Sequence, residues 1–223
     1  MKQIRTNRIV QIIYPLLVYF IVYQLGVALL IDMIGDKFGK LTCLLIAGIV
    51  CIIPMFIIYQ SVPKLIPEQV TNKKQLFNYC LWVIGVVCLG IALNVLLTQI
   101  GIAQVSDGFK RAKNTLSDGD IIIKLLCNCL VIPILEELLL RGIITGQLYL
   151  WYGLIPSVLF SSIFFGILHN NIVQFIYALV VGIGLGVMYV KTKRLSLCII
   201  AHCLINPCTS LCSQRRACMC PLA

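Results

Sequence analysis

Residues 121–150 read IIIKLLCNCLVIPILEELLLRGIITGQLYL. The run is apolar and long enough to cross a bilayer, yet it carries Lys124, Glu136, Glu137 and Arg141. Lys124 lies near its end, where the long stem can carry the ammonium to the interface. The other three, in LEELLLRG, lie deep. A charge at bilayer depth costs at least ~2.5–3.5 kcal/mol on insertion scales. A helix over the whole run is ~45 Å long, against a hydrocarbon core of ~30 Å. Pro133, three residues before Glu136, is the expected break. Backbone freed there must line a cavity or pack against protein, so the chain requires polarity near Glu136.

The remainder of the chain is of the same kind. Of 223 residues, 60% are hydrophobic and only 12% charged, and mean hydropathy is +1.00. Soluble domains run near ~45–50% apolar and ~25% charged, so a soluble globular domain and a disordered chain are both excluded. Apolar segments fall at 9–31, 41–60, 77–99, 121–150, 154–172, 172–190 and 195–212. The expected fold is all-α: a polytopic integral membrane protein of about seven transmembrane helices forming one domain over 1–223. Its first three helices occupy 9–99 and its charged core 121–212. A polar, cysteine-rich tail, CTSLCSQRRACMCPLA, occupies 208–223 and departs from the long apolar helix expected there. The run from Ile9 to Ile31 follows a basic start, MKQIRTNR, but is longer than a signal-peptide core and lacks a small-residue cleavage site. It reads as a retained helix.

Net charge is +10. On a membrane protein this reflects orientation and anionic lipid rather than nucleic acid. With the N-terminus inside, nine Lys and Arg fall on the inner side and seven on the outer, which favours that orientation. Size and short loops suggest a bacterial plasma membrane. The 12 cysteines form no CxxC pair, and most sit in apolar runs as packing residues.

Glu137 and Arg141 are four apart, so they share a helix face and can pair, with the acid first. Glu136 then lies about 100° round the helix without an obvious partner. A purely structural account is a buried ion pair plus one protonated carboxyl. The functional account has Glu137 and Arg141 bracing the helix while Glu136 works in a cavity. Both histidines of the chain also lie in apolar segments, His169 closing FFGILHNN and His202 opening HCLINP. Phe165 stands four before His169 and can pack against its ring. Asn206 stands four after His202, and a histidine with an amide can donate two hydrogen bonds to one oxygen, as an oxyanion site requires. A carboxylate drawn out of water is a stronger base. Glu136, His169 and His202 could supply three ligands to a catalytic zinc, or act without metal as base and hydrogen-bond donors. HExxH is absent, and Ser161 and Ser162 lack a G-x-S-x-G setting.

EELLLR, FGILH and HCLIN, read as EExxxR, FxxxH and HxxxN, each on an apolar helix, resemble the CPBP family of CAAX-processing and bacteriocin-processing (Abi) intramembrane proteases. The resemblance covers Glu136 to Asn206, about a third of the chain. It implies cleavage of peptide bonds in membrane-associated peptides or proteins. Glu136 and His169 would activate water, Glu137 and Arg141 would support the site, and His202 and Asn206 would steady the oxyanion. Whether such a site uses zinc is left open by the resemblance. Two other classes compete: a non-catalytic immunity or scaffold protein of the same family, and a proton-coupled transporter using Glu136 and the histidines as a relay.

Overall fold

The computed structural model describes residues 7–70, 72–101, 106, 108, 110 and 120–219, with the side chains of 210–219 left aside. Lys2 and Arg5 of the charge count, most of the 101–120 connection and the terminal CPLA lie outside the described residues. Seven helical rods make up the described chain: α1 Arg8–Phe38, α2 Lys40–Ser61, α3 Lys73–Gln99, α4 at 121–152, α5 Leu154–Ile167, α6 Ile172–Thr192 and α7 Leu195–Met219. No strand occurs among the described residues.

The rods begin and end where local chemistry dictates. The side chains of Asn7, Asn72, Asp120 and Asn171 each accept from a backbone N–H in the first turn of α1, α3, α4 and α6. Such caps satisfy donors that the helix leaves open. Gly39, at φ 80°, turns α1 into α2, and Gly153, at φ 81°, turns α4 into α5. Both conformations come easily only to glycine.

α1, α2, α3 and α6 are long and apolar enough to cross a membrane. Their outward faces expose Ile9, Leu29, Ile53, Ile84 and Ile172. Apolar surface on this scale suits lipid rather than water. α5 and the apolar part of α7, Leu195–Thr209, are shorter. The sequence predicts a fifth span over 154–172; the helix instead stops at Ile167, and residues 168–171 form a turn.

α4 lies inside the bundle. It packs on α1, α2, α5, α6 and α7, and every residue from Leu135 to Leu148 is buried. This resolves how one helix can hold three deep charges: its surroundings are protein, not lipid. Leu135, Leu139, Leu140, Ile143 and Ile144 pack with Tyr19, Tyr23, Cys51, Met55 and Phe165 on one side. A second core of Leu185, Met188, Cys198, Ala201 and Ile205 joins α6 to α7.

Pro133 does not break α4, contrary to expectation. The helix runs on through it, because the turn ahead of it widens. Cys127–Val131 is a π-turn, in which Ile132 N–H bonds to the Cys127 carbonyl five residues back. A second π-turn covers Leu138–Thr145, where the Thr145 hydroxyl donates to the Leu140 carbonyl at 2.7 Å. Such widened turns cluster at functional sites. Pro207 likewise lies within α7, whose backbone stays helical into the polar tail as far as Met219.

Candidate active site

The centre of the site is one oxygen. Glu137 Oε1 accepts from Arg141 Nη1 at 2.9 Å and from His202 Nδ1, also at 2.9 Å. Glu137 and Arg141 are fully buried, so the pair works without screening by water. The i, i+4 pairing read from the sequence is present. Arg141 does more than pair. Its Nη2 donates to the Gly182 carbonyl of α6 at 3.1 Å, and its guanidinium carbon lies 4.9 Å from the centroid of the Phe165 ring on α5. Gly182 is needed for this approach: a Cβ there would lie 3.1 Å from Ser162 Cβ and 3.2 Å from Phe165 Cδ1.

A carboxylate can only accept, so His202 Nδ1 carries the hydrogen toward Glu137. A ring nitrogen so held fixes the direction of the other. That other nitrogen, Nε2, faces Glu136 Oε2 at 3.8 Å. Glu136 therefore has a partner after all. It comes from α7, far along the chain, where helical spacing could not reveal it. The gap is too wide for a direct hydrogen bond and narrow enough for one oxygen to touch both groups. Glu136 retains 8% exposure while Glu137 has none, so the two adjacent carboxylates occupy different settings.

His169 lies not on a helix, as expected, but in the turn after α5. The cause is the pair of asparagines behind it. Asn170 adopts φ 59°, and Asn171 caps α6 by accepting from Gln174 N at 2.9 Å while its amide donates to the His169 carbonyl at 3.0 Å. His169 Nδ1 donates to the Phe165 carbonyl at 2.8 Å. A carbonyl only accepts, so Nε2 is left with a lone pair in the neutral ring. Phe165 packs against His169 as expected, centroid to centroid 5.1 Å, and also against His202, 5.6 Å away, both edge-on at 73°. One ring therefore spaces both histidines.

The Asn206 amide donates to the backbone carbonyl of Asn128 on α4 at 2.6 Å, while His202 meets Glu136 and Glu137. In the π-turn Ile132 N–H is committed to Cys127, and Pro133 has no N–H. The Asn128 carbonyl accepts the Asn206 amide across the contact of α7 with α4.

Among the described residues, no three His, Cys, Asp or Glu side chains gather as a metal site. Glu136 and His202 face each other, while His169 turns to Phe165 and makes no ion pair with either carboxylate among the described residues. Two contributors escaped the sequence reading. Asn128 left a signal, being an isolated amide in an apolar run five residues before a proline. Gly182 left none, because it acts through its carbonyl.

A family model described as "Type II CAAX prenyl endopeptidase Rce1-like" matches residues 118–208, which contain all three motifs. The chain is 30% identical over 168 residues to "Putative membrane peptidase YdiL" of Bacillus subtilis (strain 168), an alignment covering 72% of this chain and 67% of that protein. No solved structure matches. The charged triad on α4, the two histidines and these relatives together place the chain in the CPBP family of membrane proteases.

Proposed function

We propose that the protein hydrolyses peptide bonds of membrane-associated peptides or proteins, using water activated by Glu136. The observation that carries this reading is the 3.8 Å gap between Glu136 Oε2 and His202 Nε2, backed by Glu137 and Arg141. Water bound at Glu136 gives it a proton while the lone pair on His169 Nε2 helps orient the nucleophile. The hydroxide adds to the peptide carbonyl carbon, and the oxyanion develops toward His202. With Nδ1 donating to Glu137, His202 meets the oxyanion through an N–H on Nε2. Glu136 then returns its proton to the leaving amine, the C–N bond breaks, and acid and amine products depart. In the family's pattern Asn206 joins His202 at the oxyanion.

The N-terminus is assigned to the cytoplasmic side of a bacterial plasma membrane. Lys64, Lys73, Lys74, Lys191, Lys193 and Arg194 then share the inner face.

The test is cleavage of a membrane-peptide library by the purified protein in detergent. Glu136→Gln keeps size and hydrogen-bonding but removes the base, and should lower kcat by about 10²–10⁴. His169→Ala should lower it too. Full cleavage by Glu136→Gln would refute the reading. A folded wild type that cleaves nothing would favour an immunity or scaffold role, and proton-coupled flux blocked by Glu136→Gln would favour a transporter.

A further inference from the structure

The ends of four helices frame a basic cavity at one face of the bundle. α2 closes at Ser61 and α6 at Thr192, while α3 opens at Lys73 and α7 at Leu195. Between the strap that follows α2 and the turn joining α6 to α7 lies a cavity of about 430 Å³, lined by Tyr59, Lys64, Pro67, Lys193, Arg194 and Ser196 among others. Its walls are held in place. Leu65 of the strap is buried in the core that joins α6 to α7, and Arg194 Nη2 donates to the Glu68 carbonyl at 2.6 Å. Tyr59 and Leu195 pack directly on α4: a Cβ at Gly142 would lie 3.0 Å from Tyr59 Cδ2 and 3.2 Å from Leu195 Cδ2. The cavity also carries charge of one sign. Lys64, Lys193 and Arg194 make no ion pair among the described residues. Lys64 Nζ lies 4.8 Å from the Tyr59 ring centroid and the Arg194 guanidinium carbon 5.1 Å from that of Tyr79. Glu68 meets Arg194 through its carbonyl, not its carboxylate. Lys193 holds φ 55° at the C-cap of α6, a position that suits glycine better. A lysine kept there against its backbone preference sets a charge at the cavity wall.

Three uncompensated cations around one hollow call for an anion. The place of the hollow chooses among anions. α2, α3 and α6 are long enough to span, so their ends reach the level of the lipid headgroups. Ile66, beside the three cations, is 82% exposed. A cationic hollow with an apolar side chain presented next to it fits a phosphate that carries acyl chains better than a phosphate free in water. We propose that this cavity binds the phosphate headgroup of an anionic membrane phospholipid through Lys64, Lys193 and Arg194, with the acyl chains against Ile66. Lipid binding here is independent of the catalytic reading and of which face is cytoplasmic.

The test is titration calorimetry of the purified protein in neutral maltoside micelles with dioctanoyl phosphatidylglycerol. Saturable binding of one lipid per chain is expected, and its absence would refute the site. Dioctanoyl phosphatidylcholine brings a like charge to the three cations and should bind far more weakly; equal affinity would overturn the assignment. Lys64→Gln and Lys193→Gly should each weaken phosphatidylglycerol binding about fivefold, and together roughly thirtyfold, as expected for cations close to an anionic headgroup. Glycine suits φ 55°, so Lys193→Gly should unfold at or above the wild-type temperature, which separates lost affinity from lost fold. Lys74→Gln removes the same charge at the same end of the bundle but outside the cavity, and should change affinity by less than about twofold. A loss as large as in the cavity variants would mean diffuse attraction to a basic surface and overturn the site. Glycerol phosphate distinguishes the sources: bound as tightly as the lipid, it would make the ligand a soluble phosphate and overturn the lipid assignment.

Discussion

Replacing Arg141 by methionine tests the centre of the site. The side chain has 0% exposure and holds Glu137, the Gly182 carbonyl and the Phe165 face. Removing one partner of a buried pair costs about 3–5 kcal/mol, because the other charge stays buried. The Gly182 carbonyl loses its donor, at about 1–3 kcal/mol. Methionine returns about 1.5–3 kcal/mol by filling the space with apolar surface. The net loss is about 4 kcal/mol, equivalent to roughly 8–16 °C in Tm for a chain of this size. The double variant Glu137→Gln/Arg141→Met removes the stranded charge as well and should recover more than half of the loss. Both are measured by thermal unfolding in detergent and by dodecyl sulfate titration in mixed micelles. The reasoning fails if Arg141→Met stays within about 1 kcal/mol of wild type, since His202 alone would then suffice to balance Glu137. It fails equally if the double variant is no better than the single.

Three further outcomes follow from local geometry. In Gly166→Ala the new Cβ would lie 2.7 Å from Phe175 Cδ2 and 3.0 Å from its carbonyl oxygen. α5 must then part from α6, at about 1–3 kcal/mol. Gly85→Ala meets nothing within 4 Å and should be neutral or stabilising by up to about 1 kcal/mol in the same unfolding assay. Asn171→Ala loses the cap of α6 and the bond to the His169 carbonyl. It should cost about 0.5–2 kcal/mol and lower kcat by displacing His169; a kcat at the wild-type value would show that the turn holds the histidine unaided.

The rods were legible because each needs an apolar run, and a run leaves a mark in composition. The Glu137–Arg141 pair was legible because helical spacing places both groups on one face. Glu136's partner was not, since His202 reaches it through packing of α7 on α4, and no local pattern encodes that contact. The π-turns left no trace either: they change which carbonyl an N–H chooses, not which residues are apolar. Pro133 drew attention as a break, and the helix absorbed it by widening one turn. The turn at His169 was readable in principle from the Asn-Asn pair behind it, since asparagine tolerates a positive φ and also caps helices. The long apolar pattern on both sides outweighed that signal.

The two hydrogen bonds accepted by Glu137 Oε1 have a kinetic meaning. That oxygen ties α4 to α7 directly and, through Arg141, to α6 and the ring on α5. No one of these helices can swing away without uncovering a buried charge, so the constellation is assembled during folding and not on each encounter with substrate. The ordering entropy is settled once per molecule rather than once per turnover. Slow steps in the cycle then belong to peptide entry and product escape. Amide hydrogens of 135–145 should exchange at the rate of global unfolding, with or without a bound peptide.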